Sequence, residues 1–367
     1  MTGTLTMNSG RKRSKVKIFI LTAVAAIALC SNAWSGEILR VAAVGDIMMG
    51  STHPEPFLPT DDGKGHFEGV KPFFEGAEIV FGNLEGPLVD KGASSKCRKG
   101  STMCYAFSTP TRYGMYLKEA GFNLLNLANN HANDFGEKGQ KSTIGILDAL
   151  GIRSIGGSRT AQIIIGEKKI GAVGFSFSTP VPYSVSDSAS ARQVVAGLKK
   201  GNDIVIVSFH GGAEGKQALH TPNSVEMFAG ENRGNVIAFS RAMIDAGADL
   251  VLGHGPHVLR AMELYRNKLI VYSMGNFLTF GRFNISGENG ISAVFRIDLD
   301  LENGNFSGGR IMPVKLANGG IPMPDPDKSA VRLLRELTIK DIGKSGPSIG
   351  DNGEIFRNPA EAADNGS

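Results

Sequence analysis

From residue 38 to about residue 280 the chain alternates short apolar runs with amphipathic stretches, and most of the runs end in polar residues. Runs at 39–45, 79–82, 123–127, 170–177, 204–209, 250–253 and 269–273 have strand length and are rich in Val, Ile, Leu and Phe. Between some of them, windows at 112–120, 137–150, 189–200 and 235–246 space their apolar residues as helices do. Such alternation predicts an α/β fold with parallel or mixed pairing. Residues 167–169, 266–268 and 302–304 read as hairpin turns, and 291–301 alternates like a strand that pairs antiparallel with 310–316. The Pro-containing stretch 322–327 is expected to interrupt the sheet. A helix follows near 330–342, and the polar residues from 343 onward read as a loose tail.

The polar strand ends carry the chemistry. Asp46 follows the first run, and Asn83 and Glu85 follow the second. Asn130, His131 and Asp134 follow the third, His210 and Glu214 the fifth, His254 and His257 the sixth. In α/β sheets ligands bind beyond the carboxyl ends of strands, so residues distant in sequence converge there. Carboxylates, an amide and imidazoles together suit Mn, Fe or Zn better than the oxygen cages of Ca or Mg. A carboxylate can bridge two such cations, and a two-metal centre clamps both oxygens of a hydrolytic displacement. Taken singly, each feature has a plainer explanation. Gly45-Asp46 is an ordinary turn pair, Asn130 or Asp134 could cap a helix, and a lone histidine belongs more often to a core. Their joint placement argues for a site. His53, His66 and His220 lie outside these ends, in polar or Pro-containing loops, and read as surface residues.

Charge and cysteines bear on location. Residues 1–35 hold five basic and no acidic residues, out of 39 Lys and Arg against 35 Asp and Glu in the whole chain. The remainder is therefore close to neutral, which leaves no electrostatic case for nucleic acid. A basic stretch at 11–17, an uncharged apolar run at 18–30 and small residues after it have the order of a secretory signal. Ala33 and Ser35 suit cleavage before Gly36. The apolar run spans about 20 Å as a helix, short of the roughly 30 Å hydrocarbon core. Extension through residues 31–34 leaves an uncleaved anchor open. The expected location is periplasmic or extracellular. In such a compartment Cys97 and Cys104 are expected to form a local disulfide.

The motifs Gly45-Asp46-Ile47-Met48-Met49-Gly50, Asn83-Leu84-Glu85-Gly86-Pro87 and Asn129-Asn130-His131-Ala132-Asn133-Asp134 stand in this order. They are followed by His210-Gly211-Gly212-Ala213-Glu214, Gly253-His254-Gly255-Pro256-His257 and Ser273-Met274-Gly275-Asn276-Phe277. The set resembles the capsule synthesis protein CapA family, also called the poly-γ-glutamate synthesis family, of the calcineurin-like metallophosphoesterase superfamily. The resemblance, over about residues 38–280, implies a sandwich of mixed β-sheets flanked by helices; with the pattern beyond it, the domain is expected over 36–320, the helix of 321–342 packed on it and a flexible tail at 343–367. It also implies two divalent metals at the strand ends. By its terms Asp46, Glu85, Asn130, His210, His254 and His257 are metal ligands, with Glu85 as the bridge. His131 is the general acid or transition-state stabiliser, oriented by Asp134. Asn83, Glu214 and Asn276 support the ligands or face substrate.

The implied function is metal-dependent hydrolysis at a phosphoryl or acyl centre, in the making, export or trimming of an anionic envelope polymer. Membrane-bound polymer synthase components are the implied partners. A non-catalytic, polymer-binding member of the same machinery is the alternative. This chain departs from the family pattern at three points. Gly211 and Gly215 stand where relatives carry aromatic residues, which predicts a more open pocket. The closing histidines are three residues apart rather than two. Met48 replaces a usual histidine ligand, which predicts weaker binding of the metal held by Asp46.

Overall fold

Alternation within the first strand sets the layering. Leu39, Val41 and Ala43 of β1 (Ile38–Met48) enter one apolar cluster, while Ala42 and Val44 enter another on the opposite face. A strand whose two faces are both apolar must lie between two layers. The structure is a computed structural model describing residues 1–5, 37–90, 93–98, 104–281 and 283–357. Residues 6–36, which include all but the first five residues of the expected leader 1–35, and the last ten residues of the tail lie outside the described residues.

Along the chain β1 is followed by β2 (Ile79–Leu84), α1 (Gly114–Ala120), β3 (Leu124–Asn126), α2 (Gly136–Ala149) and β4 (Arg153–Ile155). Next come β5 (Ala161–Ile165), β6 (Lys168–Ser176), α3 (Ser188–Lys199), β7 (Ile204–His210), β8 (Glu226–Phe228) and β9 (Glu231–Gly234). Then α4 (Val236–Asp245), β10 (Leu250–His254), β11 (Met262–Tyr265), β12 (Lys268–Val271) and β13 (Asn276–Thr279) follow. The last elements are β14 (Ile291–Asp300), β15 (Phe306–Ala317), β16 (Ile321–Pro324), α5 (Ser329–Leu337), β17 (Ser348–Ile349) and β18 (Glu354–Phe356).

One mixed sheet runs β17-β18-β15-β14-β1-β2-β3-β4, with β13 also on β1 and β16 also on β15. A second runs β11-β12-β10-β7-β6-β5. The core between them takes Phe81, Leu124 and Phe295 from the first sheet and Ile204, Ile206, Leu250 and Val271 from the second. Helices α1 and α2 cover the outer face of the first sheet through Leu117 and Leu147. Helices α3 and α4 cover the second through Val195, Phe239 and Met243. Helix α5 contributes Ala330, Val331 and Leu334 to the inter-sheet core. The fold is thus the expected sandwich of mixed sheets flanked by helices. No helix among the described residues is long and apolar enough to cross a membrane.

Two expectations about the C-terminal region are corrected. The Pro-containing stretch does not interrupt the sheet, because Ile321–Pro324 pairs antiparallel with β15 as a strand of its own. Proline is tolerated on such an edge, where no ladder donor is required. The polar tail from 343 is not loose throughout. Its strands β17 and β18 pair with each other, and β18 extends β15. Buried Ile355 joins the inter-sheet core, which holds the segment despite its polar composition.

Candidate metal centre

Strand register brings the polar ends into two rows. In the first sheet Asn276, Asp46, Asn83 and Asn126 are cross-strand neighbours on the parallel strands β13, β1, β2 and β3. In the second, Ser176, His210 and His254 are neighbours on β6, β7 and β10. Parallel strands end on the same side, so each sheet delivers its row at one edge. Close approach of backbones makes this possible. A Cβ at Gly45 would lie 1.9 Å from the Gly275 carbonyl oxygen, whose acceptor is used at 2.9 Å by the Asp46 N–H.

Asp46 is the hub. Its Oδ1 accepts from Asn83 Nδ2 at 2.8 Å and lies 3.1 Å from His254 Nδ1, while Oδ2 lies 2.9 Å from His257 Nδ1. An ionised carboxylate only accepts, so both imidazoles carry their proton on Nδ1 and keep Nε2 for other work. The pattern is that of carboxylates that orient metal-ligating histidines. Behind it, Asn83 Oδ1 accepts from Asn126 Nδ2 at 2.9 Å and from Asn129 Nδ2 at 3.0 Å. That amide ladder fixes which way Asn83 points.

Glu85 contrasts with Asp46. It is fully buried, and neither carboxyl oxygen has a hydrogen-bond partner. His210 Nε2, His254 Nε2 and Asn130 Oδ1 are also buried without a partner. Unpaired buried polar atoms are costly and rare, and four residues with such atoms clustering at the strand ends calls for a ligand. One oxygen of Asp46, one of Glu85 and one ring nitrogen of His210 lie within 4.8 Å of one another. His210 Nε2 and His257 Nε2 approach Glu85 Oε1 at 3.8 and 3.7 Å. This buried set of oxygen and imidazole donors fits a divalent transition metal cation.

The electrostatics follow from burial. Burial alone would raise Asp46, but the hydrogen bonds from His254 and His257 reverse this and hold it well below the usual carboxylate range. Glu85 is pushed well above it by burial, reinforced by the charge of Asp46. Burial disfavours a charged His257, yet the nearby Glu85 and Asp46 carboxylates raise it to about 10. His210 is lowered well below its ordinary value by burial.

His131 and Asp134 form the neighbouring pair, with His131 Nδ1 at 2.9 Å from Asp134 Oδ2. The carboxylate fixes the Nδ1–H tautomer and leaves Nε2 for proton transfer. Burial lowers His131, and Asp134 only partly offsets this. His131 and Asn130 line a cleft of about 840 Å3 together with His257, Glu214 and Asn276. Glu214 Oε2 lies 4.0 Å from His257 Nε2, and Glu214 Oε1 pairs with Arg233 Nη1 at 2.8 Å. Asn276 Nδ2 donates to the Asn289 carbonyl at 3.2 Å.

Several participants escaped the sequence reading. Asn126 sits at the end of a strand in register with Asn83, a signal that was available once pairing was known. Arg233 comes from the β8–β9 hairpin, which carries no strong strand pattern. Its guanidinium stacks 3.8 Å over Phe177 and lines the cleft. Residue 211 also differs from expectation. A side chain has little room at this position, because a Cβ at Gly211 would sit 2.8 Å from the Arg233 carbonyl oxygen. Met48, in place of a ligand histidine, is buried with its sulfur 3.3 Å from the Gly50 N–H. His66 is not a surface residue: it is fully buried among Tyr113, Phe67 and Phe280. His220 is exposed as expected and pairs with Asp341. The Cys97–Cys104 disulfide is present, with Cα atoms 5.6 Å apart.

Comparison with known proteins places this arrangement in a family. Residues 40–280 match the bacterial capsule synthesis protein PGA_cap family, and the chain belongs to it. It is 29% identical over 333 residues to the capsule biosynthesis protein CapA of Bacillus anthracis, covering 84% of this chain and 74% of that one. It is 28% identical to the PGA biosynthesis protein CapA of Bacillus subtilis, covering 73% of each. Among solved structures, a phosphatase from Mycoplasma pneumoniae aligns with a TM-score of 0.46 at 14% identity, over 80% of this chain and 96% of that one. A 5'-nucleotidase from Candida albicans aligns at 0.38 and 12% identity, over 82% and 57%.

Proposed function

We propose that this protein is an exported, metal-dependent hydrolase of the cell envelope that acts in the biosynthesis or processing of an anionic capsule polymer such as poly-γ-glutamate. The observation that carries the reading is the unpartnered buried set of Glu85, His210, His254 and Asn130 beside a hydrogen-bonded Asp46. A scaffold that only binds polymer has no use for donors that cost stability while empty-handed. The capsule role comes from the names of its CapA relatives.

Asp46, Glu85, Asn130, His210, His254 and His257 would hold one or two divalent cations. The cations would supply Lewis-acid polarisation of a phosphoryl or acyl oxygen and lower the pKa of the attacking water. The protein's own contribution is orientation and proton transfer. Asp46 fixes the rings of His254 and His257 through their Nδ1 protons. His131, its Nδ1–H held by Asp134, would take up a proton at Nε2 and, as the imidazolium, pass it to the leaving group. Arg233 on the cleft wall supplies positive charge to an anionic substrate. The order of residues 1–35 supports export to the periplasm or cell exterior, and membrane-bound synthase components are the partners this location suggests.

Metal analysis of the purified chain, followed by hydrolysis assays on phosphate esters and γ-glutamyl polymers, tests the reading. A protein that takes up no divalent metal when Mn, Fe or Zn is supplied in excess is not this hydrolase. The polymer-binding component then stands in its place.

A further inference from the structure

The side chain of Asp134 is fully buried and meets three partners, His131 of its own loop and one residue from each of two segments distant in sequence. Its Oδ2 receives the His131 ring at 2.9 Å and the Phe107 N–H at 2.7 Å. Its Oδ1 lies 2.6 Å from Lys96 Nζ, and its own carbonyl accepts from the Lys96 N–H at 2.7 Å. Lys96 Nζ also reaches the Asn130 carbonyl at 3.2 Å. The ring of Phe107 packs on His131 with centroids 4.4 Å apart. Lys96 immediately precedes Cys97, and Phe107 follows Cys104 by three residues. The disulfide therefore ties together the two segments that grip Asp134 and His131 from either side.

Local structure alone does not secure these segments. Residues 93–98 and 104–108 belong to no helix or strand. Their apolar anchor is the small cluster of Val89, Ala106 and Phe135, against which Ala93 and Cys97 pack. A lysine side chain about one-third exposed has ample rotamer freedom, and holding its ammonium against one buried oxygen requires its backbone to be fixed.

We propose that Lys96 is a positioning residue for the His131–Asp134 pair and that the Cys97–Cys104 disulfide acts on the site through it. Lys96 compensates the charge of the Asp134 carboxylate and braces the Asn130 backbone, so the imidazole and the amide keep their relative placement. The kinetic consequence rests on the hydrolase reading; the geometric consequence does not.

The test uses the full chain with Lys96→Met, Lys96→Arg, the double variant Cys97→Ser/Cys104→Ser, and the triple variant combining Lys96→Met with both serines. Turnover of an aryl phosphate gives kcat and KM. Histidine-labelled NMR of the metal-free protein follows the Nδ1 proton shared by His131 and Asp134. Lys96→Met is expected to lower kcat by roughly tenfold to a hundredfold with KM nearly unchanged, because displacement of a catalytic group by about an ångström has that scale of effect. Lys96→Arg should recover most of the loss. The triple variant should lose no more than Lys96→Met alone, since coupled residues are not additive. The Nδ1 proton signal of the wild type should broaden or vanish in Lys96→Met and in the double-serine variant and return in Lys96→Arg. A loss confined to KM would make Lys96 a substrate contact, and additive losses would detach the disulfide from Lys96; either overturns the proposal. If the wild type turns over nothing, the hydrolase reading fails, and the NMR arm still decides the geometry. An unchanged Nδ1 signal in Lys96→Met would then refute it.

Discussion

His257 presents Nδ1 to Asp46 Oδ2 at 2.9 Å from a backbone held at φ 57°. A non-glycine residue in that region costs on the order of 1–3 kcal/mol and persists only where its surroundings impose it. Here the left-handed turn absorbs the extra residue of His254-Gly255-Pro256-His257, so both histidines still reach the same carboxylate. The unusual spacing has thus not removed either imidazole from the centre.

Glu85→Gln keeps the shape of the side chain and deletes its charge. Burial already drives Glu85 toward its neutral form, so the metal-free variant should be as thermally stable as the wild type or slightly more so. Metal content should nevertheless fall further than in Asn130→Ala, since an ionised carboxylate is a stronger donor to a cation than a neutral carboxamide. Metal stoichiometry and the melting temperature of metal-free protein, measured side by side, check the pair of outcomes. Undiminished metal content in Glu85→Gln would remove Glu85 from the ligand set.

Metal uptake should release protons. Glu85 is raised well above the carboxylate range and His257 to about 10, and each must lose its proton before it can donate electrons to a cation. Affinity should therefore rise with pH. Calorimetric titration in buffers of different ionisation enthalpy measures the protons released, and a pH-independent affinity would contradict the assignment.

His66 is buried among aromatic rings, both its nitrogens are without a partner, and burial lowers it to about 4. Its unfolded value is near 6.5, so the unfolded chain binds the extra proton between those two values. Stability is then full above about pH 6.5 and declines as the pH falls toward 4, by on the order of 3 kcal/mol. Denaturant titrations of wild type and His66→Phe from pH 4 to 7.5 test this. Replacement should flatten the acid limb of the stability curve.

Gly45→Ala would thrust a methyl group to within 1.9 Å of the Gly275 carbonyl, between β1 and the turn before β13. Backbone must move to admit it. The expected cost is about 1–3 kcal/mol, with metal content reduced because Asp46 is the next residue. Thermal unfolding and metal analysis of the variant provide the check.

The order of charge and hydropathy in residues 1–35 predicts that protein recovered from the cell envelope starts near Gly36. Intact-mass measurement decides this. Retention of the leader would indicate an anchored form.

Much of this protein was legible along the chain because the relevant signals are local. Seven apolar runs became strands, and four amphipathic windows became helices α1 to α4 within a few residues of their expected ends. Strand length, helical spacing and the polar residue closing a strand are all properties of adjacent positions. The ordered motifs around Asp46, Glu85, His210 and His257 supplied the family for the same reason. Tertiary structure decided what depends on register and on contact between distant segments. It brought Asn126 and Asn129 behind Asn83, gave Asp46 partners for both oxygens while leaving Glu85 with none, and buried His66 in an aromatic box. It also set the Arg233 carbonyl against Gly211 and drew Ile355 of a polar tail into the core. Pairing partners and desolvation arise from residues far apart in sequence, and no local pattern of charge or hydrophobicity encodes which of them will meet.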